Sequence, residues 1–556
     1  MELDTEIIII GAGMSGLGLA VQLVRQYGHR NFELIERETH IGGTWWVNTY
    51  PGCGVDVTAH HYQYSFCLNP NWSLKYPLQP EIHEYYQNVA DKYDIEKHTR
   101  FESVVTSATW DESSGTWLVF VKNLKTSETY RRRCKILISA IGLLSQPNEC
   151  DIPGASSFQG RIFHTAEWDH SFNWKDKDMV VVGNGCSATQ VVPVVSQADG
   201  AVKKVTQFAR QAQWIFERPN PEYSSLFKWS MKWVPFAMRG YRLMQMSFSE
   251  WDFKSFPIED GAPIRKMYAA YQGGYMKRTS PAKYHDFLLP KTEVGCKRRV
   301  MDTDYLECLH RDNVELVYKD PIEEIVENGV RTKSGRIVKA DAIVLANGFQ
   351  VQKPLLTLNL RGEGGLTVTE HWDKVSEGSA SAYFGTCLSG FPNFFVIMGP
   401  NTASGHASVA YTTECQIGFT LRVIKPILNA LKAQRSILPV IGRKTDIVKV
   451  KPDAEQADID MIQDRLKGLI WSSGCTSWAI DAQNGRNTTM YPDFQYKYWL
   501  RSVFISWRDF EFSTSKPTAT ALAMKSPGVG SWLTVSTGIA VAAYFTYRMF
   551  PLNRLR

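Results

Sequence analysis

A chain of 556 residues is long enough for two or three domains, each with its own core. Hydrophobic residues make up 44% and charged residues 21%, which sets it among folded globular proteins and not among disordered or fibrous ones. The net charge of +6 is spread without a dense basic block, so no nucleic-acid partner is expected. Ten scattered cysteines show no C-x-x-C and no metal-ligand spacing, which predicts no metal site and a reducing compartment.

The apolar run Ile7-Ile8-Ile9-Ile10 flows directly into Gly11-Ala12-Gly13-Met14-Ser15-Gly16. It reads as a buried strand before a glycine turn, not as the apolar stretch of a signal peptide. A helix over LGLAVQLVRQYG follows, and then a second strand, FELIE, ending at Glu36. Glycines at this spacing let the backbone approach a pyrophosphate, which the amides at the helix start bind. Glu36 can accept hydrogen bonds from both hydroxyls of an unphosphorylated adenosine ribose.

The unit then recurs. The strand MVVVG leads into Gly183-Asn184-Gly185-Cys186-Ser187-Ala188 and an apolar helical stretch that contains Gln190. Its second strand, KKVTQFAR, ends on Arg210 and not on an acid. A carboxylate would repel a 2′-phosphate, whereas a guanidinium pairs with it, so this site is expected to prefer NADPH to NADH. Two dinucleotide sites in one chain imply electron transfer between a nicotinamide and a flavin. That leaves a flavoprotein reductase or a monooxygenase. A disulfide reductase would need a cysteine pair beside the flavin, and in the stretch from Gly42 to Cys53 the cysteine stands alone.

The segment Phe158-Gln159-Gly160-Arg161-Ile162-Phe163-His164-Thr165-Ala166-Glu167-Trp168-Asp169 resembles the F-x-G-x-x-x-H-x-x-x-W-[P/D] fingerprint of type I Baeyer–Villiger monooxygenases at every fixed position. The resemblance covers nearly the whole chain before the C-terminal tail. It implies FAD and NADPH as cofactors and O2 as co-substrate, with Gly43, Thr44, Trp45, Asp56, Tyr62 and Val105 among the residues that contact cofactor. It makes His164 a structural residue of the segment that joins two domains. Gly295-Cys296-Lys297-Arg298-Arg299 looks like the family segment that supplies a catalytic arginine. By that match Arg298 sits over the flavin, Asp56 holds it in place and keeps it charged, and Lys297 joins Arg210 at the 2′-phosphate. Gln211 stands where the family commonly has a hydroxyl residue, which is expected to soften phosphate selectivity. Trp471 to Trp478 resembles the family's late tryptophan loop, and Ala479 replaces a frequent tyrosine, which predicts an unusual substrate pocket.

The implied fold class is α/β, with two Rossmann-like dinucleotide-binding domains, a helical subdomain and a C-terminal transmembrane helix. The FAD domain takes residues 1–145 and 335–520, and the NADPH domain, 146–334, is inserted between them. A helical insertion at 215–290, rich in Trp, Phe, Tyr and Met, is expected to pack on itself and to wall the substrate cleft. Residues 521–556 form a candidate membrane segment: from Ser526 to Tyr547 there are 22 residues without a charge, flanked by Lys525 and Arg548. This predicts a single-pass anchor with the catalytic domain facing the cytoplasm. The expected activity is insertion of oxygen beside the carbonyl of a lipophilic ketone, giving an ester or lactone in a biosynthetic pathway. Flavin-dependent hydroxylation or N- or S-oxygenation is the alternative, and an NADPH oxidase without an organic substrate is a third. The sequence leaves the oligomeric state open.

Overall fold

The computed structural model describes residues 2–515 except 353, 436–444 and 476. Four consecutive isoleucines can all be buried only in a strand covered on both faces, which is the environment of a parallel sheet flanked by helices. Ile7–Ile10 takes that place, with each residue 5% exposed or less. It pairs in parallel with Phe32–Ile35 on one side and Ile136–Ser139 on the other. Phe394–Val396 and Thr99–Arg100 complete the five strands. The crossover helix Met14–Tyr27 buries its inner face on this sheet and ends at Gly28 in the left-handed conformation. Ser103–Asp111, Thr116–Asn123 and Thr129–Cys134 form an antiparallel meander beside it, extended by Leu360–Arg361.

Gly16 fixes how closely strand and helix approach. A Cβ there would lie 1.9 Å from the Gly11 carbonyl oxygen, so no other residue fits without moving the loop.

The second parallel sheet runs in the order Val314–Val317, Lys204–Phe208, Asp178–Val182, Ala342–Leu345, Arg161–His164. Its central strand carries Met179, Val180 and Val181, each no more than 1% exposed. This sheet moves a domain boundary. Ala342–Leu345 fell in the returning FAD domain when the boundary was drawn at 334/335, yet it is hydrogen-bonded between Asp178–Val182 and Arg161–His164. The insertion therefore continues past Leu345. A three-stranded antiparallel sheet, Ile322–Val326, Gly329–Thr332 and Ile337–Lys339, precedes that last strand.

The helical insertion is bracketed by the short parallel pair Ile215–Phe216 and Val300–Met301. It contains the helices Ser225–Trp233, Ala237–Asp252 and Ala262–Thr279. Many of its large apolar side chains, among them Trp229, Trp233 and Phe248, face solvent instead of forming a core. No helix among the described residues is long and apolar enough to cross a membrane, and the stretch from Ser526 to Tyr547 lies outside the described residues.

Gly16→Ala is expected to destabilise the protein by about 3 kcal/mol or more, because its Cβ meets backbone that cannot rotate away. Thermal unfolding and FAD content of the purified variant check this; wild-type values for both would show that the loop relaxes freely.

Candidate functional site

The carboxyl ends of the two parallel sheets face one continuous cleft of about 2870 Å³. A single-ligand pocket encloses roughly 300–1,000 Å³, so this cleft has room for more than one large ligand. Ligands in open α/β sheets bind at these strand ends.

The first arm of the cleft is built on Gly11, Gly13, Glu36, Gly43, Thr44, Trp45, Tyr62 and Val105, all of which line it. The backbones of Gly13 and Gly43 touch, so closely that a Cβ on Gly43 would lie 2.7 Å from Gly13 Cα. This leaves a bare backbone floor. Glu36 is buried at the end of its strand, where Oε2 accepts from the Ala12 amide at 2.6 Å and Oε1 from the Glu38 amide at 2.9 Å. Burial pushes its carboxyl above the ordinary value, against the pull of those two amides. Trp45 Nε1 donates to Tyr62 Oη at 3.0 Å, and the Gln79 side chain donates to the Trp45 carbonyl. Cys53 is buried nearby, and burial pushes its thiol up to about 12, which keeps it protonated and inert.

The second arm carries Gly183, Asn184, Gly185, Arg210, Gln211 and Lys297. Asn184 Nδ2 donates to the Gln211 carbonyl at 2.7 Å, and Lys297 Nζ donates to the Gln211 side-chain oxygen. The Gln211 side chain thus engages Lys297 beside the strand end that carries Arg210, while its backbone carbonyl, which any residue would supply, holds Asn184. Arg210 is exposed and has no acidic partner among the described residues. Gly16 and Ala188, assigned to cofactor contact by motif, do not line the cleft. Gly16 faces Gly11, and Ala188 is wholly buried in the helix Cys186–Val195. Both act by close packing one layer behind.

Where the arms meet, Arg298 donates through Nε to Asp56 Oδ2 at 3.0 Å and through Nη2 to the same oxygen. Both residues line the cleft, with side chains 36% and 23% exposed. The Asp56 carboxylate holds the Arg298 guanidinium well above its already high value, against the cost of burial. Lys297, Arg298 and Arg299 diverge. Arg299 turns away to Asp252 at 2.9 Å and lies over Phe216 and Tyr268, which fixes the segment to the helical insertion.

Gln190, assigned to cofactor contact as well, does line the cleft and in addition clips the domains together. Its amide accepts from Tyr50 Oη at 2.8 Å and donates to the Gly54 carbonyl at 3.1 Å. Gly52, at φ 80°, lets the same loop pass so close that a Cβ would lie 2.4 Å from the Gln190 carbonyl oxygen. Sequence reasoning missed Tyr50 and Arg218. Arg218 donates to the Val55 carbonyl at 3.0 Å and stacks on Tyr76, steadying the residue next to Asp56. Neither carries a local motif.

In the late tryptophan loop, Trp471 is buried against Phe256, and Ser477 and Trp478 reach the cleft. Ala479 is 1% exposed and does not line the cleft. Cys296 and Cys475 come into bonding contact, with Cα atoms 6.1 Å apart. Scattered in sequence, they are a pair in space that ties this loop to the residue before Lys297. His164 plays the structural part expected of it. Its Nδ1 accepts from the Ala166 amide at 3.0 Å, its ring packs edge-on against Phe349, and it does not line the cleft.

The model of the family described as flavin-binding monooxygenase-like matches residues 4–234. The chain is 30% identical to the FAD-binding monooxygenase ktnD of Aspergillus niger, over 97% of this chain and 88% of that one. It is 31% identical to a Baeyer–Villiger monooxygenase of Pseudomonas aeruginosa, over 94% and 93%. The chain belongs to the Baeyer–Villiger monooxygenase family. Among solved structures, OTEMO in complex with FAD and NADP matches with a TM-score of 0.79 at 23% identity, over 92% of this chain and all of that one. An oxidised steroid monooxygenase bound to NADP matches at 0.76 and 25%, over 91% and 99%.

The cofactors of the family, FAD and NADPH, fit the residues present. The Gly13–Gly43 floor and buried Glu36 suit the pyrophosphate and ribose of FAD, and Arg210, Gln211 and Lys297 suit a 2′-phosphate. Among the described residues no cluster could hold a metal ion. Arg210→Ala and Lys297→Ala are each expected to raise KM for NADPH at least ~10-fold, since each removes a charge-assisted contact, while leaving NADH oxidation unchanged. Steady-state kinetics with the two nucleotides measure this; an equal loss with NADH would remove these residues from the phosphate site.

Proposed function

We propose that the chain catalyses Baeyer–Villiger oxidation of a lipophilic ketone to an ester or lactone, using NADPH and O2. The observation that carries this reading is the Arg298–Asp56 pair at the junction of the two nucleotide arms. Bound FAD would supply the redox chemistry, taking hydride from NADPH and activating O2 once reduced.

The residues do the rest. Arg298 opposes the negative charge that grows on the carbonyl oxygen of the ketone as it is attacked, before carbon migrates. Asp56 aims the guanidinium and keeps it protonated, and Gln190, Tyr50 and Arg218 fix the loop that carries Asp56. The cleft lining includes Met398, Ala403, Ala407, Val409 and Met490, apolar side chains that support a lipophilic substrate. Hydroxylation and heteroatom oxygenation need no cation opposite a carbonyl oxygen, and this geometry favours neither.

Arg298→Ala is expected to retain NADPH-dependent flavin reduction and to lower ester or lactone formation by ~100-fold or more, the size of effect seen when one oxyanion donor is removed. Arg298→Lys gives the pH test. In wild type, Asp56 keeps the cation charged at every working pH, so this group causes no alkaline loss of rate. A lysine titrates from about 10.4, and burial lowers that value. The variant should therefore lose oxygenation as pH rises, while its reduction step does not change. Normal product yield from Arg298→Ala would sink the mechanism.

For localisation, the reading is a single-pass C-terminal anchor with the catalytic domain facing the cytoplasm, supported by the uncharged run from Ser526 to Tyr547 and its basic flanks. Full-length protein should resist carbonate extraction from membranes, and a chain lacking residues 526–556 should not. Extraction of the full-length chain would remove the anchor.

A further inference from the structure

The hairpin formed by Ser225–Trp233 and Ala237–Asp252 has its amphipathic pattern turned outward. Leu226, Trp229 and Trp233, at i, i+3 and i+7, form one helical stripe, and Met244, Phe248 and Trp251 form another. All six are exposed, Leu226 to 75%, Trp233 to 63% and Phe248 to 67%. The connection between the helices adds Val234 and Phe236, both exposed. Stripes at this spacing normally face a core.

Here the inner face is already used. Tyr223, Phe227 and Tyr241 pack edge-on around His60 at 5.0, 5.7 and 5.2 Å, Met238 is buried, and Arg242 Nη1 donates to the Gln63 carbonyl at 2.9 Å. The hairpin is thus fixed to the turn that follows the Asp56 loop, and the outward stripes are not a folding face waiting to close. They do not belong to the cleft either, since no residue between 214 and 296 lines it.

Charge selects the occupant. From Tyr223 to Lys254 the chain carries Lys228, Lys232, Arg239 and Lys254 beside the inward-turned Arg242, while its two acids, Glu250 and Asp252, are engaged by the Gln495 amide and by Arg299. Lys232 lies over Trp233 at 5.1 Å and Lys254 over Trp251 at 3.7 Å, with basic heads at the rim of the aromatic surface. Apolar and indole side chains flanked by basic ones are the chemistry of a helix lying in the headgroup region of an anionic bilayer. We propose that this hairpin is a monotopic membrane-docking element. It inserts Leu226, Trp229, Trp233 and Phe248 into the interface of an anionic lipid surface and sets the cleft beside the bilayer. This does not depend on the C-terminal run or on the reaction assigned above.

The test uses full-length holoenzyme and hydrogen–deuterium exchange of residues 225–251. Vesicles are phosphatidylcholine alone or with about 30% phosphatidylserine. The expected result is exchange slowed by ~10-fold or more with the anionic vesicles and much less with the neutral ones. Trp229→Ser/Trp233→Ser/Phe248→Ser should abolish the slowing while FAD content and NADPH oxidation stay at wild-type values. Carbonate extraction reports on the tail separately, so loss of one reading leaves the other standing. Four results would overturn the proposal. They are no slowing by vesicles, equal slowing with neutral lipid, equal slowing in the triple variant, or protection already present without lipid. In the last case, concentration dependence would mean that a second copy covers the stripes, and independence that the chain's own tail does.

Discussion

Two nucleotide-binding sheets bring their carboxyl ends to one cleft, but the chemistry depends on a single ion pair that crosses between them. Asp56 comes from the loop after the first glycine turn, and Arg298 from the segment that leaves the helical insertion, 242 residues later. Neither could be placed by its own domain. A pair of this kind is costly to bury and gains from a dry surrounding, because attraction grows as water is excluded. At the cleft junction, with side chains 36% and 23% exposed, Arg298 and Asp56 are open to water. Filling the cleft with nucleotide and substrate would remove that water and strengthen the field at the carbonyl.

Holding this geometry takes several independent contacts around the same loop. The Gln190 amide bonds to Gly54 and Tyr50, Arg218 bonds to Val55, and Gly52 allows the close pass. On the other side, Arg299 anchors to Asp252 and stacks on two aromatic rings, while Cys296 joins the tryptophan loop. Arg298 is therefore clamped from both flanking positions in the chain. Such support matters because a donor helps only if it is aimed before charge develops.

What the sequence revealed follows from the range of each interaction. The two glycine turns, Glu36 and Arg210 are encoded within about 30 residues of chain, where spacing alone sets geometry. The Arg298–Asp56 pair is a long-range contact with no local signal, and only the family resemblance of both segments linked them. The contacts that were missed or misread are long-range as well. Ala342–Leu345 reads as part of the returning domain because strand partners 163 and 181 residues away (Met179 and Arg161 opposite Ala342) leave no mark on a short apolar run. Cys296 and Cys475 are 179 residues apart, so spacing rules for cysteines could not pair them. Gln190 lines the cleft as its nucleotide motif implies, but its bonds to Tyr50 and Gly54 in the other domain have no local signal.

The helical insertion shows a different limit. Its aromatic content reads equally well as core or cleft wall, since composition does not say which way a helix faces. Periodicity gives the stripe but not its orientation. Orientation follows from tertiary contacts: Met238, Tyr241 and Arg242 are held at His60 and Gln63, and this leaves Met244, Phe248 and Trp251 exposed. A polar-facing helix would need neither stripe, and a buried one would hide both. A helix with one apolar face satisfied by its own fold and a second left outward, bordered by basic side chains while its acids are engaged elsewhere, has its remaining hydrophobic driving force directed away from the protein.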